Sequence, residues 1–197
     1  MADVEGAVAA IRAGEAVILP TDTVYGLCAS PDDERALARI SDLKGRPEEM
    51  PVALLCANVD ALLTSIPELE EPPLRALLPG PFTLVLPNPA RRFRWLTGTR
   101  PETLGVRVPQ LTGPAEQVLS EVETIAATSA NLPGGDDPRT LHDVPEELRA
   151  AAEAVVDGGE LPGTPSTVID FTGAAPLVLR EGAASAADAL RVVSSVL

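Results

Sequence analysis

Apolar and polar positions along this chain alternate with two periods, and each change of period marks an element. Val4, Ala7, Val8 and Ile11 recur at helical spacing in residues 3–13, with Gly14 placed to cap the end. Ala16-Val17-Ile18-Leu19 is an unbroken apolar run, which predicts a buried strand stopped by Pro20. Thr21, Asp22 and Thr23 gather at that strand's end, and Gly26 predicts a turn. These side chains either close the turn among themselves or hold a small polar ligand. Asp32 or Asp33 can cap a helix with Ala36, Leu37, Ile40 and Leu43 on one face. That helix delivers Lys44 and Arg46, either to a ligand or simply to the negative end of its dipole.

The second half continues in the same mixed style. Strands are predicted at 52–56, 82–86, 104–108 and 124–128, at 155–156, and as a hairpin at 166–170 and 177–180 across Thr172-Gly173. Asn58 can cap a helix to Ile66, Leu74 to Leu78 makes a helical turn after Pro72-Pro73, and Pro114 starts a helix to Val122. Asp143 is placed to cap a helix over 145–153, and Ser185 with Asp188 opens a last helix as a capping box. Residues 87–103 are irregular and basic, with Phe93 and Trp95: a mobile flap, or a solvated loop with an aromatic anchor. The loop at 132–139 is dense in Gly, Pro and Asp. Strands and helices mix throughout, which predicts an α/β class with a mixed sheet.

Composition narrows the function. At 197 residues and 45% apolar, the chain predicts one domain over 1–197 with a full core. No apolar run approaches a membrane span, and the acidic start lacks a signal-peptide pattern, so a cytoplasmic location with no membrane partner is expected. Cys28 and Cys56 read as buried small hydrophobes. The net charge of −14 and the scarcity of aromatic residues argue against broad capture of nucleic acid, which needs basic surface and stacking platforms. Lys44 is the only lysine among 15 basic residues, which fits either a site wanting a compact ammonium or chance.

Several kinds of chemistry are excluded. The one histidine, His142, lies in a polar loop, and no G-x-S-x-G elbow presents a serine. No Cys/His cluster offers a metal site, and neither G-x-x-x-x-G-K-[ST] nor G-x-G-x-x-G occurs. What remains is hydroxyls and cations at strand ends: Thr21, Thr23, Lys44, Arg46, Thr103, Arg107, Ser129, Asn131, Ser166, Thr167 and Arg180. If they converge, they suit a phosphate-bearing anion beside a small polar acid.

The motifs themselves resemble a known family. P-T-D-T-V-Y-G-L at 20–27, K-G-R-P at 44–47 with Pro51-Val52, L-P-G-P-F-T at 78–83, G-V-R-V-P at 105–109, T-S-A-N at 128–131, S-T-V-I-D at 166–170 and L-R-E-G at 179–182 are similar, in that order, to the YrdC-like family in its short form. The resemblance implies a twisted mixed parallel/antiparallel sheet with helices on both faces and a deep cleft. It also implies a threonylcarbamoyl-AMP synthase, which converts L-threonine, bicarbonate and ATP to threonylcarbamoyl-adenylate and pyrophosphate. A downstream threonylcarbamoyl transferase would use that product to modify tRNA. By resemblance, Thr23, Arg107, Ser129 and Ser166 match positions holding threonine or its carbamate. Lys44, Arg46, Thr103, Asn131 and Arg180 match positions holding ATP, with Lys44 and Arg46 on the phosphates as catalytic cations. Mg2+ is expected with ATP, on water and phosphate ligands, with no metal held by protein side chains; Asp22 would touch it indirectly or serve the turn.

Four positions depart from the family pattern: Cys28 for glycine, Met50 for a polar residue, Pro133 for serine and Arg139 for a small hydroxyl residue. Two other readings are kept: a double-stranded RNA-binding module of the same fold, and a carbamoyl-transferring relative. The latter would carry an acylphosphatase-like segment and paired Cys motifs, which this sequence lacks.

Overall fold

The computed structural model describes residues 4–45, 47 and 50–196. Its strands are β1 (Val17–Pro20), β2 (Tyr25–Ala29), β3 (Ala53–Cys56), β4 (Phe82–Pro87), β5 (Thr103–Arg107), β6 (Thr124–Ser129), β7 (Ala154–Val155), β8 (Thr167–Asp170) and β9 (Leu177–Arg180). They form one nine-stranded sheet in the order β7-β1-β2-β6-β3-β5-β4-β8-β9. Three pairings are parallel (β1 with β7, β3 with β5, β4 with β8) and the others antiparallel. The helices are α1 (Val4–Arg12), α2 (Glu34–Lys44), α3 (Val59–Ser65), α4 (Glu71–Leu77), α5 (Gly113–Val122), α6 (Glu146–Ala151) and α7 (Ala186–Ser194).

Strand alternation divides the core in two. Val17 and Leu19 pack with Leu55, Ile125 and Ala127 under α1 and α5. Ile18, Leu27, Leu54, Leu84, Leu104, Val106 and Ile169 face the other way, where α2, α3, α4, α6 and α7 cover them. Helices therefore lie on both faces, as expected for an α/β layer structure.

Several local expectations change. Gly26 is not a turn residue: it lies in β2, paired with Leu19 on one side and Ser129 on the other. The turn is earlier, at Thr21–Val24, where the Thr21 hydroxyl donates to Val24 O at 2.7 Å. Asp143 does not cap α6; it accepts from the N–H groups of Arg139 and Thr140, which holds its carboxyl below the usual aspartate value. Helix α4 starts before Leu74, with prolines in its first turn, where a missing N–H leaves no bond unmade. Of the paired candidates at 32 and 33, Asp33 is the cap of α2. In the 87–103 segment Phe93 and Trp95 pack on the core, and Arg94–Leu96 form a 3-10 turn. The buried Asn88 side chain ties that loop together, donating to Arg92 O and Pro101 O.

Candidate functional site

The two helices on the α1/α5 side cover β7, β1, β2, β6 and β3, but the sheet runs on past them. In β5 the residues facing that side are Thr103, Gly105 and Arg107, opposite Leu104 and Val106, which belong to the other core. In β4 they are Thr83 and Val85, opposite Phe82 and Leu84. An open, partly polar patch of sheet results. It forms the floor of a cleft of about 370 Å³ lined by Thr21, Thr23, Thr103, Arg107, Ser129, Ser166 and Arg180, among others.

Each wall is built by local bonding. In the β1–β2 turn, the Thr21 hydroxyl spends its single proton on Val24 O, so in its contact with Thr23 Oγ1 at 3.0 Å it is the acceptor. Thr23 Oγ1 then accepts from Arg107 Nη2 at 3.3 Å. Arg107 is buried, and its Nη2 also donates to Asp22 Oδ1 at 2.7 Å. Burial lowers the Arg107 pKa from its ordinary value; Asp22 opposes that shift and the neighbouring Arg180 adds to it.

The opposite wall comes from β8 and β9. Arg180 Nε donates to Ser166 O at 3.0 Å and its Nη2 to Ser166 Oγ at 3.1 Å. Ser166 Oγ also meets Thr83 Oγ1 at 2.7 Å. Behind them, Thr167 Oγ1 donates to Ala184 O at 2.5 Å and accepts from Gly182 N at 2.9 Å, fastening residues 182–184 to β8.

Lys44, at the C-terminal end of α2, reaches the end of β6. Its Nζ donates to Ser129 O and, at 3.1 Å, to Asn131 Oδ1. Asn131 Oδ1 also accepts from Ser129 Oγ at 2.7 Å, while its amide donates to Gly135 O at 2.8 Å. Lys44 and Asn131 do not line the cleft themselves; they bond to Ser129, which does. Arg46 lies outside the described residues.

The structure adds residues that sequence reasoning passed over. Asp22, expected to serve the turn or to touch magnesium indirectly, has a partner that the sequence did not show: its side chain is ion-paired with Arg107. Thr83 was findable from alternation in β4, where it faces away from the apolar set. Thr97, Thr99 and Arg100 come from the 87–103 loop and line the cleft too; no spacing rule pointed to them. Arg100 Nη1 donates to Asp170 Oδ2 at 3.2 Å. Burial tends to raise the Asp170 pKa, but bonds from Thr172 and Arg100 outweigh it and leave that carboxyl below its ordinary value. Among the described residues, no group of three or more His, Cys, Asp or Glu side chains is placed to hold a metal ion.

Comparison with known proteins decides the family. The Sua5_yciO_yrdC model, described as "Telomere recombination", matches residues 9–182. The chain belongs to the Sua5/YciO/YrdC family. It is 37% identical over 190 residues to the threonylcarbamoyl-AMP synthase of Pyrococcus abyssi, an alignment covering 94% of this chain and 56% of that protein. The crystal structure of P. abyssi Sua5 complexed with L-threonine superposes with a TM-score of 0.86 at 35% identity, covering 98% of this chain and 58% of the other. The structure of Escherichia coli YciO gives a TM-score of 0.80 at 29% identity, covering 92% of this chain and 90% of that one. The chain thus spans a little over half the length of the Pyrococcus relative and nearly all of YciO.

Within the family frame, the departing residues fall outside the hydroxyl and cation set. Cys28 is buried in β2, opposite Val17 of β1, where burial pushes its thiol up to about 12. Met50 is half exposed. Arg139 is engaged with Glu160 at 2.7 Å. Among the described residues, no helix is long and apolar enough to cross a membrane.

Proposed function

We propose that this chain is an L-threonylcarbamoyladenylate synthase, using L-threonine, bicarbonate and Mg–ATP and supplying threonylcarbamoyl-AMP to a transferase that modifies tRNA. The observation that carries the proposal is the convergence of Thr23, Arg107, Ser129, Ser166, Thr103 and Arg180 on one cleft, with Lys44 bonded to Ser129 behind it. The Pyrococcus relative crystallised with L-threonine supports the choice of amino acid.

The residue roles are those the family resemblance implies, and the reaction chemistry suits them. Bicarbonate takes up a proton and loses water to give carbon dioxide; threonine's neutral amine bonds to its carbon and releases a proton to solvent, leaving a carbamate, which is already an anionic nucleophile. Its oxygen bonds to the α-phosphorus of ATP as the bond from that phosphorus to the bridging oxygen breaks, and pyrophosphate leaves with the electron pair. No side chain must be deprotonated, so catalysis is positioning and charge stabilisation. Thr23, Arg107, Ser129 and Ser166 take the threonine carbamate; Lys44, Thr103, Asn131 and Arg180 take ATP, with Arg46 in the same role. The cations suit phosphate oxygens, and magnesium enters as part of the nucleotide substrate, on phosphate and water ligands.

The test is pyrophosphate release with threonine and bicarbonate omitted in turn. Release should require both, and Lys44→Ala should lose about 3 kcal/mol of transition-state stabilisation, roughly a hundredfold in rate, while remaining folded. Release indifferent to threonine would sink the proposal. Carbamoyl phosphate replacing bicarbonate would favour the carbamoyl-transferring reading, and tight, steeply salt-dependent RNA binding without ATP would favour the RNA-binding one.

A further inference from the structure

We propose that Asp22 is a positioning residue: it orients the Arg107 guanidinium that receives the acidic end of the amino-acid substrate. This role rests on the reading of the cleft given under Proposed function.

Asp22 is fixed at both oxygens. Oδ1 accepts from Arg107 Nη2 at 2.7 Å, and Oδ2 accepts from the backbone N–H of Gln110 at 3.1 Å. The pair is nearly sealed from water, with side-chain exposures of 10% for Arg107 and 8% for Asp22. One oxygen therefore secures the segment after β5, and the other secures a cation inside the cleft. Arg107 has few other restraints. Thr23 Oγ1 accepts from the same Nη2 at 3.3 Å, and the Arg107 Nε is buried with no hydrogen-bond partner. A long side chain held mainly at one terminal nitrogen keeps its orientation only while that anchor stays.

Charge points the same way. Arg180 also bears on Arg107, and two cations in one cleft repel. Without an anion on its outer side, Arg107 would be pushed away from Arg180, and the fork presented to a carboxylate would turn with it. Asp22 supplies that anion from the wall of the cleft, and Arg100 and Arg180 remain there as further cations beside the single carboxylate among the described lining residues, Asp137.

The test uses the full chain and two readouts: calorimetric titration of L-threonine, and steady-state pyrophosphate release with threonine and ATP varied separately. Asp22→Asn keeps the shape and removes the charge. It should weaken threonine binding and raise the threonine KM about tenfold, with the ATP KM unchanged, on the order of the loss of one charge-assisted hydrogen bond. In an Arg107→Gln background, Asp22→Asn should add nothing further to the threonine KM, because it acts through the side chain already removed. A merely structural Asp22 would lower the melting temperature and the active fraction, leaving the threonine KM unmoved or shifting both substrates alike. Should Asp22→Asn fail to fold, Asp22→Glu carries the same test: it retains the charge, displaces the guanidinium, and should raise the threonine KM alone. Threonine affinity at the wild-type value in Asp22→Asn, or an equal rise in the Arg107→Gln background, overturns the role of Asp22 while leaving the synthase reading intact. Wild-type protein that neither binds threonine nor needs it for turnover overturns both.

Discussion

Gly182 gives the sharpest test of how the β8–β9 wall is held. A methyl group at this position would lie 2.6 Å from both Ser166 C and Ser166 O, and closer still to Pro165 O. All three are backbone atoms, so no rotamer change relieves the clash; the strands must move apart by several tenths of an ångström. The contacts that would stretch are those that set the wall: Gly182 N to Thr167 Oγ1 at 2.9 Å, Ala183 N to Pro165 O at 2.8 Å, and Arg180 Nε to Ser166 O at 3.0 Å. Overpacking of this kind costs about 1–3 kcal/mol, and weakened hydrogen bonds place Gly182→Ala toward the upper end. For a domain of this size that is roughly 4–12 °C in Tm. Ser166 and Arg180 should also lose their registry with Arg107, and an ångström of misplacement can cost about a hundredfold in rate. Thermal melts followed by threonine-dependent pyrophosphate release measure both effects. Gly173→Ala is the control, since its added carbon would meet only Ala175 O at 3.5 Å, an ordinary contact. A Gly182→Ala protein that melts and turns over like wild type would refute the close packing of residues 165–167 against 182.

Two further outcomes follow from burial and charge. Burial pushes both thiols, Cys28 and Cys56, up to about 12, so a disulfide reagent at pH 8 should leave the native protein unlabelled and modify both after unfolding in denaturant; rapid native labelling would contradict their placement. Asp170 has a folded pKa below the unfolded value of 3.8, so its contribution to stability is present above that value and is lost as pH falls through the lower folded one. Asp170→Asn should therefore be less stable at neutral pH and lose less on further acidification, seen as a shallower fall of the urea midpoint between pH 5 and pH 2; an unchanged slope would show that the Thr172 and Arg100 contacts do not hold the carboxylate.

Where one period dominated a segment, the sequence was enough to place the element. Val52 to Cys56, Phe82 to Leu86 and Leu104 to Val108 are apolar or alternating runs bounded by breakers, and strands β3, β4 and β5 lie there. Strand β2 is not legible because Gly26 is its second residue, and an isolated glycine after a polar cluster reads as a turn. Its strand character comes from outside: β1 pairs along one edge and β6 along the other. Gly26 is tolerated there because the space its side chain would need is taken by Cys28 Sγ, 3.3 Å away. Asp143 failed as a cap for a related reason. Short acidic side chains bond whichever backbone N–H groups the chain offers first, and those of Arg139 and Thr140 came before the helix. At the site, residue types at strand ends were visible, but partnerships were not. Nothing local to Asp22 shows that it will meet a guanidinium 85 positions away.

The cleft follows from the binary pattern of the strands that floor it. A helix laid over β5 would have to bury Thr103 and Arg107, and over β4 it would meet Thr83; against an apolar helix face these groups would be left without partners. The sheet instead is covered by α1 and α5 only as far as β3, where the residues facing that side are Leu55 and its apolar neighbours. On the opposite side β5 and β4 present Leu84, Leu104 and Val106, and helices cover them. The missing layer is thus a specific consequence of threonine and arginine at alternate positions in two adjacent strands. A substrate that completes such a layer must bring anionic and hydrogen-bonding atoms where a helix would have brought leucines. Arg107, held by Asp22, and Arg180 stand on the walls of that open cleft, where they can meet the anionic substrate proposed for it.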